Sequence, residues 1–200
     1  MSKCDRLDAI IKQLGEELLN KMDKFPVTIV YINNLDSVGY CYELMSSIML
    51  DKQYVPVDHR IPENRIFAQY HRQYTKKMKD FIVNEIRKEY PKVRLVFATV
   101  ALGMGLDAPS VQQIIHLQPP TTMEKYMQEI GRSGRNGQLS VAKMYYTTRD
   151  IASNRKGLSP AMRSFCLSKK CLRQEIVSYF GFGNTLFQGE KRSCCSNCNL

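Results

Sequence analysis

Four short apolar runs recur along the 200-residue chain and restrict its fold more than any other feature: VTIVYI (27–32), RLVFATV (94–100), VQQIIHL (111–117) and VAKMYYT (141–147). The first two have the density of β-branched and large apolar residues typical of strands buried on both faces. Between the runs lie helical patterns. Leu7, Ile10, Ile11, Leu14, Leu18 and Leu19 fall on one face of a helix over 5–22, which Phe25-Pro26 ends. Ser37 is placed to cap a second helix carrying Val38, Tyr42, Met45 and Met49. Further helices are expected over 76–89 and 122–130, while Pro56 and Pro62 leave 51–66 irregular. Strands alternating with helices predict an α/β layer fold around a mostly parallel sheet. Functional loops in such folds lie beyond the carboxyl ends of the strands, and both glycine-bearing stretches, 98–111 and 128–137, are expected there.

The formal net charge of +10 favours a polyanionic partner, nucleic acid first. No run of 18 apolar residues is present, so no membrane partner is expected. The N-terminus lacks the apolar core and cleavage site of a secretory signal. Of seven cysteines, five lie after residue 165, which points to a separate C-terminal module and to metal rather than disulfides. Residues 151–162 are polar and are expected to link it to the rest, ahead of a short helix in CLRQEIVSYF.

Two stretches carry chemistry. In ATVALGMGLDAPSV (98–111), a strand ends at Thr99, glycines let the backbone approach a ligand, and Asp107 offers a carboxylate suited to ribose hydroxyls. In EKYMQEIGRSGRNGQ (124–138), Arg132 and Arg135 each follow a glycine, and Gln128 lies one helical turn upstream. A guanidinium fork suits phosphate oxygens. On the pair alone, a phosphate site and a solvated helix start both remain open.

Together and in this order, the two stretches resemble motifs V and VI of superfamily 2 helicases, with wording similar to that of the RecQ family of DNA helicases. TIVYIN resembles that family's motif IV strand, and QYHRQYTKKMKDFI (69–82) the segment before motif V, so that similarity runs over about 27–150. CLRQEIVSYFGFG (171–183) and CSNC (195–198) resemble the start of the family's zinc-binding module.

The resemblance implies an N-terminal helix (1–24), a RecA-like second helicase lobe (25–150) and a truncated zinc-binding-like module (151–200). By the same resemblance Arg135 is the arginine finger on the γ-phosphate, and Arg132 faces the phosphates or pairs with an acid of the other lobe. Gln128 orders the phosphate or the attacking water, and Gly105 and Asp107 lie against the ATP ribose. Thr99, Asn33 and Asn34 contact the DNA backbone, and Cys171, Cys195 and Cys198 are zinc ligands. ATP with Mg would be shared with a first lobe, because these residues contain neither G-x-x-x-x-G-K-[ST] nor an Asp-Glu-x-His run. The isolated chain is therefore expected to lack ATPase activity.

Zinc wants four ligands. The family's spacing puts the fourth just beyond Leu200, so it is expected to be missing, with Cys194 or Cys166 as substitutes that lack that spacing. Asn34-Leu35 stands where the family often has serine-arginine, and His116 is expected to be structural. The expected whole is part of an ATP-dependent 3′-to-5′ DNA helicase. Its partners would be single-stranded or forked DNA and a first lobe in cis or trans, in the nucleus if the source is eukaryotic and otherwise in the cytoplasm. The alternatives are a non-enzymatic DNA-binding or helicase-docking module and the second lobe of an RNA helicase.

Overall fold

The computed structural model describes residues 3–103, 108–183 and 187–199. It divides into two compact units, one of residues 1–118 with 128–145, the other of 119–127 with 146–200. The second unit thus draws in a segment from inside the expected lobe and starts at 146 rather than 151. The stretch expected to be a linker is partly folded. A 3-10 turn at Thr148–Ile151 closes with a reciprocal capping box between Thr147 and Asp150, and Leu158 is buried.

In the first unit the described elements run α1 (Lys3–Lys21), β1 (Thr28–Tyr31), α2 (Leu35–Met49), β2 (Phe67–Tyr70), α3 (Lys76–Ile86), β3 (Leu95–Ala98) and β4 (Gln113–His116). They continue through α4 (Met123–Ile130), which crosses the boundary between the units, to β5 (Val141–Met144). All strand pairs are parallel, in the order β2-β3-β1-β4-β5. The predicted α/β class with a parallel sheet between helices is observed. β1 lies at the centre, paired with β3 through Ile29↔Val96 and with β4 through Ile29↔Ile114.

Successive side chains of a strand point to opposite faces, and the core divides accordingly. Val30, Ile32, Phe67, Leu95, Phe97 and Ile115 meet Leu7, Ile11, Leu14 and Leu18 of α1 and Val38, Met45 and Met49 of α2. Ile29, Tyr31, Val96, Ala98 and Ile114 meet Ile82 and Ile86 of α3 on the other face. Burying each such side chain contributes about 1.5–3 kcal/mol. The N-terminal helix is thus part of the lobe's own core.

One local expectation changes, and one strand is added. The cap of α2 is Asn34, not Ser37: Asn34 Oδ1 accepts from Ser37 N at 2.8 Å, which starts the helix at Leu35. β2 lies in a segment that carries no strand pattern, because Gln69 and Tyr70 are only half-buried and pairing with β3 defines it. The edge strand β5 is largely exposed, unlike the fully buried β1, β3 and β4.

The second unit holds α5 (Pro160–Leu167) and α6 (Leu172–Tyr179), with 3-10 turns at Lys191–Ser193 and Ser196–Cys198. Tyr126 of its 119–127 segment packs its ring against Phe165 at 5.5 Å. No helix among the described residues is long and apolar enough to cross a membrane.

α1 and α2 approach closely at Gly15, where an added Cβ would lie 2.8 Å from Ile48 Cγ2. Gly15→Val is expected to lower stability by about 2 kcal/mol through overpacking and the melting temperature by roughly 5 °C, read by circular dichroism. An unchanged melting temperature would contradict the close approach.

Candidate functional site

Parallel strands share one carboxyl edge, so the residues that follow β1, β2 and β3 gather there. Asn33 and Asn34 follow β1, and both are exposed. Asn33 Nδ2 donates to Gln118 Oε1 at 2.9 Å, and Asn34 spends its carbonyl oxygen on the α2 cap. Thr99 follows β3. Its backbone N donates to Tyr70 O at 3.0 Å, and its hydroxyl accepts from Ala101 N at 3.4 Å, closing the 3-10 turn Val100–Gly103. Gly105 and Asp107 lie outside the described residues.

Beside Thr99 the sheet edge is basic. Arg72, Lys76 and Lys77 are exposed, and Lys79 is half-buried with its Nζ donating to Arg72 O at 3.2 Å. Lys77 turns to Glu63 at 3.2 Å. The first turn of α3 contains no acid. Lysines there oppose the helix dipole, each by about 0.3–1 kcal/mol, and an anion bound beside them would offset that repulsion. Burial and the charge of Lys79 both hold the adjacent His71 imidazole below its ordinary pKa, so it stays neutral at pH 7.

The second glycine-bearing stretch was expected at the carboxyl edge and only begins there: Glu129 lies against His116 at the end of β4, and the chain then runs on to the amino ends of the strands. It belongs to the crossover from β4 through α4 back to the start of parallel β5, and such a return must travel to the amino ends of the strands. Gly134 N accordingly donates to Val111 O at 3.2 Å, just before β4. Gly134 has φ of +72°, and an added Cβ would meet Ser140 Oγ at 2.8 Å, so glycine is required. Arg135 leaves this turn exposed, with its Nε donating to Gly131 O at 3.1 Å. Gln128 is exposed on α4. Arg132, by contrast, is 7% exposed.

In the second unit, the Sγ atoms of Cys171, Cys194, Cys195 and Cys198 all lie within 4.8 Å of one another. Separations are 3.6 Å for Cys171–Cys194, 3.5 Å for Cys195–Cys198 and 4.0 Å for Cys171–Cys195. Four sulfurs about 2.3 Å from a tetrahedral centre would stand about 3.8 Å apart, so the cluster fits a divalent cation. The fourth sulfur, expected to be missing, is present: the 3-10 turn Lys191–Ser193 brings Cys194 beside Cys171. Cys166 stays outside the cluster. Asn197 Nδ2 donates to Ser168 O at 2.9 Å and Lys170 O at 2.7 Å, tying the two cysteine segments together.

The same tie gathers charge. Lys169-Lys170 precede Cys171 and Lys191-Arg192 precede Cys194, and Arg173 stacks over the Phe187 ring at 4.7 Å. The second unit carries ten lysines and arginines against four acids, so most of the excess charge of +10 is here.

Against known proteins, the family model of the helicase conserved C-terminal domain matches residues 9–137. The chain belongs to that family, as a RecQ-like second lobe of superfamily 2. It is 37% identical over 147 residues to ATP-dependent helicase wrn-1 of Caenorhabditis elegans, covering 66% of this chain and 14% of that protein. With ATP-dependent DNA helicase RecQ of Bacillus subtilis it shares 29% identity over 140 residues, covering 58% and 23%. The chain spans 9–22% of the length of the first three curated relatives it matches. Its fold is similar to that of S. cerevisiae Dbp5 bound to RNA and ADP BeF3, with a TM-score of 0.57, 19% identity, and coverage of 90% of this chain and 37% of that one.

The metal-free thiols differ in reactivity. Burial pushes the Cys195 thiol up, but hydrogen bonds from the Leu172 backbone and the Cys198 side chain outweigh it and bring its pKa down to about 7. The thiol–thiol hydrogen bonds to Cys195 and Cys171 push Cys198 up to about 12, and burial pushes Cys166 up to about 11. The thiolate is the nucleophile, so at pH 7.5 iodoacetamide is expected to label Cys195 ahead of Cys166 and Cys198, read by peptide mass spectrometry. Equal labelling of the three would contradict this ordering.

Proposed function

We propose that this lobe is the second half of an ATP-driven, RecQ-like 3′-to-5′ DNA helicase motor, working against a first lobe that cradles ATP and magnesium. The observation that carries the reading is the exposed Arg135 on a turn fixed by Gly134. Phosphoryl transfer asks a protein mainly for positioned charge, and an arginine presented when two lobes close supplies it at the γ-phosphate. Gln128, exposed on the helix that leads into this turn, orders the phosphate or the attacking water. Asp107 and Gly105 take the ribose side.

DNA follows the basic carboxyl edge of the first unit. Thr99, Asn33 and Asn34 meet phosphates there, and Arg72, Lys76 and Lys79 extend the path. Such contacts position a strand without reading its sequence, and they weaken with salt. In the second unit, zinc held by Cys171, Cys194, Cys195 and Cys198 would supply a rigid tetrahedral link between the segments at 171 and 194–198. The chain's own contribution is to hold Lys169, Lys170, Lys191 and Arg192 close together as a second surface for a polyanion. In a eukaryotic cell the place of work is the nucleus. The absent G-x-x-x-x-G-K-[ST] motif keeps a second reading alive, a docking module that binds DNA or a helicase without turnover.

Two outcomes are expected. The chain alone hydrolyses no ATP, and adding it to a first RecA-like helicase lobe raises turnover, with Arg135→Ala removing about a thousandfold of that gain. Stimulation that survives Arg135→Ala would support the docking reading instead. Titrated with Co(II), the chain takes one ion with the strong absorption of thiolate coordination. Cys166→Ser leaves that absorption intact and Cys194→Ser removes it; the reverse pattern would contradict the cluster.

A further inference from the structure

Arg132 and Arg135 are equivalent in sequence and not in the structure. Arg135 is exposed, while Arg132 is 7% exposed and lies among polar groups drawn from three elements. Tyr31 and His116 are a cross-strand pair of β1 and β4, and their rings stack at 5.3 Å with 18° between planes. Nε2 of His116 meets Oε2 of Glu129 at 2.7 Å, with the two side chains 1% and 9% exposed. Glu129 lies on α4, one turn before Arg132, and Arg132 N donates to Glu129 O at 3.3 Å. Burial pushes the Tyr31 phenol up, the charge of Arg132 beside it opposes this, and Glu129 reinforces it. Arg132, Glu129, Tyr31 and His116 therefore form one buried group, within reach of each other's fields.

The placement has a mechanical consequence. A guanidinium taken out of water is tolerated where opposite charge and hydrogen-bonding groups surround it permanently. A phosphate that arrives and leaves with each cycle does not meet that requirement, whereas the Tyr31 phenol beside Arg132 and the Glu129 carboxylate of the same buried group are there throughout. The turn from 132 to 135 is fixed at both ends, by the buried Arg132 on one side and by the Gly134–Val111 hydrogen bond on the other. Arg135, whose Nε donates to Gly131 O, starts from that fixed turn and reaches outward through its own side-chain torsions.

We infer that Arg132 is a positioning residue rather than a phosphate ligand. With Glu129, His116 and Tyr31 it clamps the end of α4 to the carboxyl ends of β1 and β4, and this junction sets the turn from which Arg135 reaches a phosphate. The inference rests on the reading of Arg135 as the phosphate arginine. Its other half, the junction itself, stands on this chain alone.

The test is nuclear magnetic resonance of arginine side-chain Nε–Hε groups in the 200-residue chain, assigned with Arg132→Lys and Arg135→Lys. The Arg132 signal is expected to exchange with solvent at least about tenfold more slowly than those of exposed arginines. Glu129→Gln, which keeps the shape of the side chain and removes its charge, should shift both arginine signals. Millimolar inorganic triphosphate should move Arg135 and leave Arg132 in place. Should Glu129→Gln fail to fold, Tyr31→Phe removes one hydroxyl and is expected to speed Arg132 exchange. An Arg132 signal that moves with triphosphate overturns the inference, as does an Arg135 signal indifferent to both Glu129→Gln and Tyr31→Phe. A response to Glu129→Gln with no response of either arginine to triphosphate supports the junction and counts against the ATP reading.

Discussion

The parallel pairing of β1 with β3 on one side and with β4 on the other is the constraint on which the rest depends. It sets Asn33, Thr99 and Leu117 on one edge of the sheet, because the strand registers Tyr31↔Ala98 and Tyr31↔His116 end the three strands level. The same register stacks Tyr31 on His116 and so provides the floor on which Glu129 and Arg132 rest. Losing β1 would therefore disperse both the candidate DNA edge and the arginine turn. Four consecutive residues of β1, Thr28–Tyr31, are buried, and that buried run does more to define the lobe than any motif residue does.

Much of this was legible in the chain itself. VTIVYI, RLVFATV and VQQIIHL announce strands because burial on both faces favours apolar residues, with Thr28, Gln113 and His116 the buried polar exceptions. α1 shows its face because one side packs on the sheet and the other meets water. β2 was not legible, since half-burial of Gln69 and Tyr70 erases any pattern and only the neighbour β3 makes them a strand. The α2 cap was misplaced by three residues because Asn34 and Ser37 are both competent caps, and the geometry of the β1–α2 turn chooses between them. The inequality of Arg132 and Arg135 could not be read either. Three residues on a helix end and a glycine turn separate buried from exposed, and which of the two faces inward depends on where α4 comes down on the sheet.

The cysteine cluster follows the same logic at a smaller scale. Family spacing pointed to Cys171, Cys195 and Cys198 and to a position past Leu200. The adjacent Cys194 completes the set because the chain turns at Lys191–Ser193 and doubles back against the start of α6. A vicinal Cys-Cys pair is a signal the sequence does carry, and its weight becomes clear only when the two segments are seen together. The basic residues beside each cysteine are then brought together by the cluster, which couples any metal held there to the surface charge of the unit.

The central claim is that the lobe presents Arg135 to a phosphate held by another lobe. The most direct measurement is the affinity of this chain for a first RecA-like helicase lobe in the presence of ADP and aluminium fluoride, which imitate the phosphoryl group in transfer. The account predicts association at least about tenfold tighter with the mimic than with ADP alone, one charge-assisted contact being worth more than the 1.4 kcal/mol this requires, and loss of that gain in Arg135→Ala. Association that ignores the mimic, or a gain that persists in Arg135→Ala, would contradict it.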